Sequence, residues 1–291
     1  MTTAPALGGS FTTAQGLTLT RTGYGAMQLA GPGVWGPPAD RDEAVRVVRA
    51  AIDAGVNHID TADFYGPHVT NEIVRDALTA ADDVHVVTKV GSVRGDDGAW
   101  LHARSPEQLR EQVVSNLRTL GTDVLDVVNL RVGGGADGHS PVPGSLAEPF
   151  GALAQMRDEG LVRHLGLSVV DADQVAEAQA IAPVVTVQNW YNLAHRGDEA
   201  LIASLAEQRV AYTAFWPLGG FSPLQSGTLD AVAGRLGAAP QAVALAWLLQ
   251  RSPNMVVIPG TSKVAHLREN LAAAQLVLPD DVVAGLDTVA G

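Results

Sequence analysis

The feature that most constrains the fold of this chain is a regular alternation of short apolar segments with longer segments of helical periodicity. The apolar segments are rich in β-branched residues and apolar at nearly every position, which is typical of strands buried on both faces. We predict eight such strands, at residues 21–25, 56–60, 84–89, 125–130, 162–167, 184–188, 210–215 and 255–258.

The segments between these strands have the spacing and the end signals of helices. Leu109, Val113 and Leu117 lie on one helical face, Ser105 is a capping residue before it, and Gly121 ends it. Further helices are predicted between residues 40 and 55 and at about 70–80, 144–160, 173–181, 197–208, 240–251, 263–274 and 280–290.

Eight β–α units in succession predict an α/β fold, a (β/α)8 TIM barrel, in one domain over residues 1–291. Residues 10–19 form an alternating run with a Gly turn and are predicted to form an N-terminal β-hairpin at the bottom of the barrel. Residues 280–290 are predicted to form an extra C-terminal helix. A doubly wound open sheet is the alternative, but no early strand leads into Gly-x-Gly-x-x-Gly. The irregular segments 28–39, 91–104, 131–144 and 217–227 follow strands, so we expect them at the catalytic face.

The composition excludes several classes of function. The 291 residues include 19 Lys and Arg against 31 Asp and Glu, a net charge of −12, which disfavours nucleic acid and anionic membrane surfaces as partners. The absence of Cys excludes disulfides and thiolate nucleophiles. His68 and His139 have no partners at metal-ligand spacing, and no metal site is predicted. No signal peptide or membrane-spanning apolar run is evident, which predicts a cytoplasmic protein.

Three groups at or just after neighbouring strand ends are candidates for catalysis. Asp60 ends the second strand, Tyr65 follows it, and Lys89 ends the third. A Lys ammonium beside a phenol favours the phenolate, which would make Tyr65 a usable general acid. Two other readings of the same residues remain open: a structural Asp–Lys ion pair beside a packing Tyr, and a Lys that forms a Schiff base as in aldolases.

Four motifs around these residues resemble those of the aldo-keto reductase family. Residues 59–66 resemble the family signature around the catalytic Asp and Tyr, and 88–89 its third-strand Lys. Residues 117–126 resemble the second signature, and 258–263 with 269–270 the third. The resemblance extends from about residue 17 to 290. It implies that Tyr65 donates a proton to a carbonyl oxygen and that Lys89 and Asp60 adjust the acidity of the Tyr65 phenol. It also implies that hydride comes from a reduced nicotinamide.

Residues 23–33, 64–71, 126–132 and 217–221 are similar to a bacterial subgroup of this family, the NADPH-dependent pyridoxal reductases. The implied reaction is reduction of pyridoxal to pyridoxine. The alternatives are a reductase for another aldehyde or ketone, or a barrel that binds NADPH as a sensor without turnover. Arg131 stands where the family usually has His. Because Arg stays charged it cannot shuttle a proton, but it can stabilise negative charge on the carbonyl oxygen.

The loops after the seventh and eighth strands are the candidate cofactor site, since barrels commonly hold phosphate there. Lys263, His266 and Arg268 cluster near the start of a helix, which favours NADPH over NADH. The resemblance implies that Ser168 and Gln188 hold the carboxamide, that Phe215 stacks on the ring, and that Glu269 and Asn270 face the adenine. The full predicted cofactor set is Met27, Asp60, Ser168, Gln188, Phe215, Trp216, Leu218, Gly220, Gly260, Thr261, Ser262, Lys263, His266, Glu269 and Asn270.

Aromatic residues after the strands predict the substrate pocket. Trp35 and Trp100, together with Tyr65 and Arg131, are expected to line a site for a small carbonyl compound, and planar walls would suit a pyridine aldehyde. The sequence makes no prediction of oligomeric state.

Overall fold

A computed structural model of the protein describes residues 6–134, 138–219 and 226–289. The strands of this part of the chain are β1 Ser10–Thr12, β2 Thr18–Thr20, β3 Tyr24–Gly25, β4 His58–Asp60, β5 His85–Val90, β6 Ser92–Arg94, β7 Trp100–His102, β8 Leu125–Arg131, β9 Val162–Ser168, β10 Val184–Trp190, β11 Ala211–Phe215 and β12 Met255–Val257. Its α-helices are α1 Arg41–Asp53, α2 Val69–Ala77, α3 Pro106–Leu120, α4 Ala147–Asp158, α5 Ala172–Ile181, α6 Glu199–Glu207, α7 Gly227–Leu236, α8 Pro240–Arg251, α9 Val264–Ala273 and α10 Asp280–Leu286.

Eight parallel strands of the described chain form one sheet in the order β12-β11-β10-β9-β8-β5-β4-β3. The two outer strands also meet, because Gly23 donates its N–H to Val257 O at 2.8 Å and Val257 donates to Arg21 O at 2.9 Å. Gly25 bridges Gly260 at the same junction, where a Cβ on Gly260 would approach Gly25 O to 2.7 Å. The sheet is therefore a closed (β/α)8 barrel, which confirms the predicted fold class and its eight strands.

The hairpin of β1 and β2 covers the amino-terminal end of the barrel. Its backbone bonds to residues just before barrel strands: Thr20 N–H donates to Asn57 Oδ1, and Ala14 N–H to Arg209 O. Its side chains Leu17 and Leu19 pack into the barrel. Their apolar partners there are Val87, Val127, Val185, Ala211 and Val256. Apolar packing of these residues thus fills much of this end of the barrel.

The structure differs from the sequence predictions at two elements. Part of the segment 91–104, expected to be irregular, forms the antiparallel hairpin of β6 and β7. Helix α7 was not predicted, although Ser226 caps it by accepting from Leu229 N and Gly237 ends it. Gly227 at its first position and Gly234 inside it weaken its helical pattern, and it gains order by packing against α8 and α10. The prediction of one domain over residues 1–291 stays a prediction.

The helix ends follow local chemistry where the sequence signals were clear. Helix α3 begins with a full capping box, in which Ser105 and Gln108 satisfy each other's backbone N–H groups.

Within the described residues, no single helix has the length and apolar composition needed to cross a membrane. Helices α7 and α8 meet those criteria only as a pair, bent by 96°.

Candidate active site

The carboxyl ends of β4 and β5 hold a buried ion pair. Lys89 Nζ lies 2.6 Å from Asp60 Oδ1 and also donates to Thr61 O at 3.0 Å. The second carboxylate oxygen of Asp60 accepts from Gln188 Nε2 at 2.7 Å. The side chains of Lys89 and Asp60 are only 3% and 5% exposed. A buried pair of this kind is stable only because each charge has a partner and further hydrogen bonds.

Tyr65 lies against this pair. The centre of its ring is 5.2 Å from Lys89 Nζ. Burial lowers the pKa of Lys89, but the charge of Asp60, with a contribution from Tyr65, outweighs burial and holds that pKa above its ordinary value. Lys89 is therefore protonated at neutral pH, and its ammonium is hydrogen-bonded to Asp60 and Thr61. Because a Schiff base needs a neutral amine, this arrangement disfavours the aldolase reading.

A buried polar network fixes the loop that carries Tyr65. Asp63 accepts from Thr119 Oγ1 at 2.8 Å, from His68 at 3.0 Å and from Asn71 Nδ2 at 3.2 Å. Next to Tyr65, Gly66 has φ of 88°, and a Cβ there would come within 2.6 Å of Val69 Cβ. The loop is thus held from α2 and α3, and its tight turn requires glycine.

Tyr65 and the ion pair line a cavity of about 480 Å³, a volume within the range of small-molecule sites. The predicted site residues that line it are Met27, Asp60, Tyr65, Lys89, Trp100, Arg131, Gln188, Phe215, Trp216, Leu218 and Gly260. They come from barrel strands and from the loops that follow them, so closure of the barrel brings them together.

Two groups of aromatic side chains wall the cavity. Phe64 packs edge to face on Tyr65 at 5.2 Å and on Trp100 at 5.5 Å. On the other side, Trp216 packs at 5.7 Å from Phe215 and at 5.6 Å from Trp190. These walls leave room for flat, partly apolar molecules.

Trp35 lies at the rim, 41% exposed and outside the cavity lining. The guanidinium of Arg94 lies 5.0 Å from the Trp35 ring and 4.2 Å from the Trp100 ring. Arg94 also donates to Val34 O at 2.8 Å. It therefore ties the hairpin of β6 and β7 to the loop after β3.

Arg131 is the second cation of the lining. It lies at the end of β8, where its guanidinium donates to Gly138 O at 2.9 Å and lies 3.4 Å from His139 Nδ1. Burial lowers its pKa, while the charges of Tyr65 and Asp60 act in the opposite direction. In the described part of the chain no carboxylate forms an ion pair with Arg131.

Several buried polar atoms beside the cavity lack a hydrogen-bond partner among the described residues. They are Ser168 Oγ, Gln188 Oε1, Trp190 Nε1 and both amide atoms of Asn129. Ser168 and Gln188 are register partners on β9 and β10. Buried polar groups in proteins are almost always bonded, so unpaired donors and acceptors at this place fit an external amide such as a nicotinamide carboxamide.

The remaining predicted cofactor residues in the described part of the chain lie in the turn before α9 and along that helix. Thr261 is buried, with its carbonyl accepting from Tyr24 Oη at 2.7 Å and its hydroxyl from Lys263 N at 3.2 Å. Exposure increases beyond this turn: Ser262 and Asn270 are half-buried, and Lys263, His266, Arg268 and Glu269 are exposed. Gly220 lies outside the described residues.

Backbone strain is concentrated around the same cavity. Four non-glycine residues in the loops after barrel strands have left-handed φ values between 51° and 68°, namely Val34, His68, Val169 and Trp216. Val169 is β-branched and adopts this conformation less readily than Asn or Gly would. Such strain persists only where the surroundings enforce it, and it is typical of functional sites.

Sequence reasoning missed residues that the structure brings to the cavity. His102 lines it from β7, and Asn129 lies beside it in β8, between Lys89 and Gly166. The sequence signal for Asn129 was a polar residue in an otherwise apolar strand. His102 carried no such signal, because its strand was not predicted.

One buried histidine gives a testable pH dependence. His58 lies on β4, two residues before Asp60, and neither ring nitrogen has a partner among the described residues. Burial lowers its pKa from 6.5 to about 4. Between these values only the unfolded chain takes up the proton, so the free energy of unfolding should fall by about 3 kcal/mol as the pH drops from 6.5 to 4.

Urea unfolding of the wild type and of His58→Leu at several pH values measures this contribution. We expect the difference between the two proteins to change across that window and to level off above pH 6.5, where His58 is neutral in both states. The variant His266→Gln, on the exposed face of α9, is the matched control and should follow the wild type. Parallel curves for His58→Leu and the wild type would contradict the prediction.

Comparison with known proteins agrees with this geometry. The model of the aldo/keto reductase family matches residues 21–290. The chain is 60% identical over 273 residues to pyridoxine 4-dehydrogenase of Escherichia coli, covering 94% of this chain and 95% of that protein. It is 38% identical over 273 residues to an uncharacterised oxidoreductase of Schizosaccharomyces pombe, covering 93% of this chain and 87% of that protein.

Solved structures show the same barrel. A thermostable aldo-keto reductase in complex with the inhibitor epalrestat superposes with a TM-score of 0.79 at 29% identity, over 95% of this chain and 97% of that one. An aldo-keto reductase from Klebsiella pneumoniae in complex with NADPH gives 0.78 at 26% identity, over 96% of this chain and 94% of that one. With a buried Asp–Lys–Tyr cluster at the carboxyl face of a closed barrel, this chain belongs to the aldo/keto reductase family.

Proposed function

We propose that this protein is an NADPH-dependent aldehyde reductase that converts pyridoxal to pyridoxine. The observation that carries the proposal is the contact of Tyr65 with the ammonium of Lys89 in the lining of an aromatic cavity. A phenol beside a fixed cation can give its proton to a carbonyl oxygen. The 60% identity to pyridoxine 4-dehydrogenase supports pyridoxal as the substrate.

The residues fit NADPH, which supplies hydride to the carbonyl carbon when bound. Ser168 and Gln188 would hold its carboxamide, and Phe215 would face the ring. The Gly260 turn and the N-terminus of α9 would hold phosphate, with Lys263 beside a 2′-phosphate. The aldo-keto reductase solved with NADPH supports this choice of cofactor.

The side chains of the cavity have separate roles in this reaction. Tyr65 protonates the carbonyl oxygen, and Lys89, held by Asp60, keeps a positive charge beside the phenol oxygen as its proton leaves. Arg131 adds a second positive charge to the cavity and stabilises negative charge on the same oxygen. Trp100 contributes to the substrate wall and Trp35 lies at its rim. A cytoplasmic location remains part of the proposal.

The proposal is tested by following NADPH oxidation with pyridoxal and a panel of other aldehydes and ketones. We expect turnover with pyridoxal and a higher kcat/KM for it than for unrelated aliphatic carbonyl compounds. Turnover of other carbonyl compounds but not of pyridoxal would support a reductase activity and contradict pyridoxal as its substrate. NADPH binding with no turnover of any carbonyl compound would favour the sensor alternative.

Ser168→Ala separates a cofactor role from a structural one. Removing a buried hydroxyl that has no partner among the described residues should leave the cofactor-free enzyme as stable as before, or more stable. If the hydroxyl bonds the carboxamide, the Kd for NADPH should rise about 5- to 10-fold. Fluorescence titration and urea unfolding measure the two effects. Exposed Ser204→Ala is the control, and an unchanged Kd with lowered stability would contradict the assignment.

A further inference from the structure

The charges of the described cavity lining do not balance. Asp60 is already neutralised by Lys89 and hydrogen-bonded by Gln188. Arg131 donates to the backbone carbonyl of Gly138 and lies near His139, but it has no carboxylate partner among the described residues. This part of the lining therefore carries one uncompensated positive charge, in a chain whose net charge is −12.

Further basic groups surround Arg131. Burial lowers the pKa of Arg104, and the charge of Arg131 lowers it further. The pKa of His102 is lowered by burial, by Arg104 and by Arg131. His102 lines the cavity from β7, and a Cβ on Gly134 would come within 2.3 Å of His102 Nε2, so the ring lies against the loop after β8. Arg131 and His102 line this end of the cavity, while Arg104 lies outside the lining. The end favours an anion, since Asp60, the carboxylate whose charge reaches Arg131, is already paired with Lys89.

The position of Arg131 limits where on the substrate that anion can lie. Lys89 pairs with Asn129 in the register of β5 and β8, so Arg131 lies two residues further along the neighbouring strand and faces the same side. Its charge acts on both Tyr65 and Asp60. Because Arg131 and Tyr65 line the same cavity, the guanidinium can contact substrate atoms close to the reacting carbonyl group.

We propose that Arg131 determines specificity by binding an anionic oxygen on the ring carbon next to the one that bears the aldehyde. The preferred substrates are then 2-hydroxyaryl aldehydes, in which phenolate and carbonyl oxygens lie in one plane on the same edge of the ring. The N–H groups of a guanidinium can contact two such oxygens together. This inference rests on the proposed aldehyde reduction and explains how pyridoxal, whose hydroxyl neighbours its aldehyde, is recognised.

The test compares 2-hydroxybenzaldehyde with 4-hydroxybenzaldehyde, two isomers that differ only in the position of the oxygen. We expect the wild type to prefer the 2-hydroxy isomer by about 10- to 100-fold in kcat/KM, the size of one charge-assisted hydrogen bond. Arg131→Met should abolish that ratio, and Arg131→Lys, which keeps the charge but loses the planar fork, should retain part of it. Arg110→Met, which breaks only the exposed pair with Glu159 outside the cavity lining, is the matched control and should keep the full preference.

A binding measurement keeps the inference testable apart from turnover. Quenching of the cavity tryptophans gives the Kd of each isomer for the NADP-bound enzyme, and we expect the same order of preference and the same loss in Arg131→Met. The preference for the 2-hydroxy isomer could instead be equal in the wild type and in Arg131→Met, both in kcat/KM and in Kd. That result would overturn the role of Arg131 and leave the proposed aldehyde reduction unaffected. Preferential binding without turnover of any aldehyde would overturn the proposed reaction and leave the anion site standing.

Discussion

Tyr65→Phe is expected to lower kcat for aldehyde reduction by about 10²- to 10⁴-fold, the usual contribution of a positioned general acid. The substitution removes only the phenol oxygen. The ring keeps its edge-to-face contacts with Phe64 and Trp100, so the cavity wall should remain in place. The Kd for NADPH should stay nearly unchanged, because the phenol is assigned to the carbonyl oxygen and not to the cofactor.

The control is Tyr212→Phe. Tyr212 donates its hydroxyl to Asp198 at 2.7 Å, away from the cavity lining. Its removal should cost about 1 kcal/mol of stability and leave kcat unchanged. Stopped-flow NADPH oxidation and fluorescence titration measure rate and affinity separately. Loss of NADPH binding in Tyr65→Phe would mean that Tyr65 has a structural role.

Lys89→Met is expected to have the largest effect on stability as well as on rate. It leaves the carboxylate of Asp60 buried with only Gln188 as a partner among the described side chains, and breaking a buried ion pair in this way typically costs about 3–5 kcal/mol. It also removes the cation beside Tyr65, so turnover should fall with it. Urea unfolding at pH 7 and steady-state kinetics measure the two effects.

The double variant Asp60→Asn with Lys89→Met separates these two roles. The introduced amide is neutral and its oxygen can still accept from Gln188, so much of the lost stability should return. Turnover should not return, since the cation beside the phenol is still missing. Arg110→Met, which breaks the exposed pair with Glu159 on the outside of the barrel, is the control and should change neither quantity appreciably. Recovery of turnover in the double variant would contradict a role for Lys89 in catalysis.

The barrel itself could be predicted from the sequence because its strands are buried on both faces. Runs such as 125–130 are apolar at nearly every position, and a succession of such runs with helices between them admits few topologies. The contact of Lys89 with Asp60 followed from the same reasoning, because neighbouring parallel strands end at the same face. Helix α7 and the hairpin of β6 and β7 were missed because their local patterns are weak and their order comes from packing.

The order of apolar and helical segments in the sequence predicted that Asp60, Tyr65 and Lys89 would meet at one face of a barrel, and the family resemblance gave their roles. The tertiary structure alone decided the contacts between distant segments: the hydrogen bond from Gln188 to Asp60, 128 residues apart, and the position of His102 against the loop after β8. Such contacts depend on the register between strands and on closure of the sheet, which are properties of all eight strands together. No single segment of the chain encodes them.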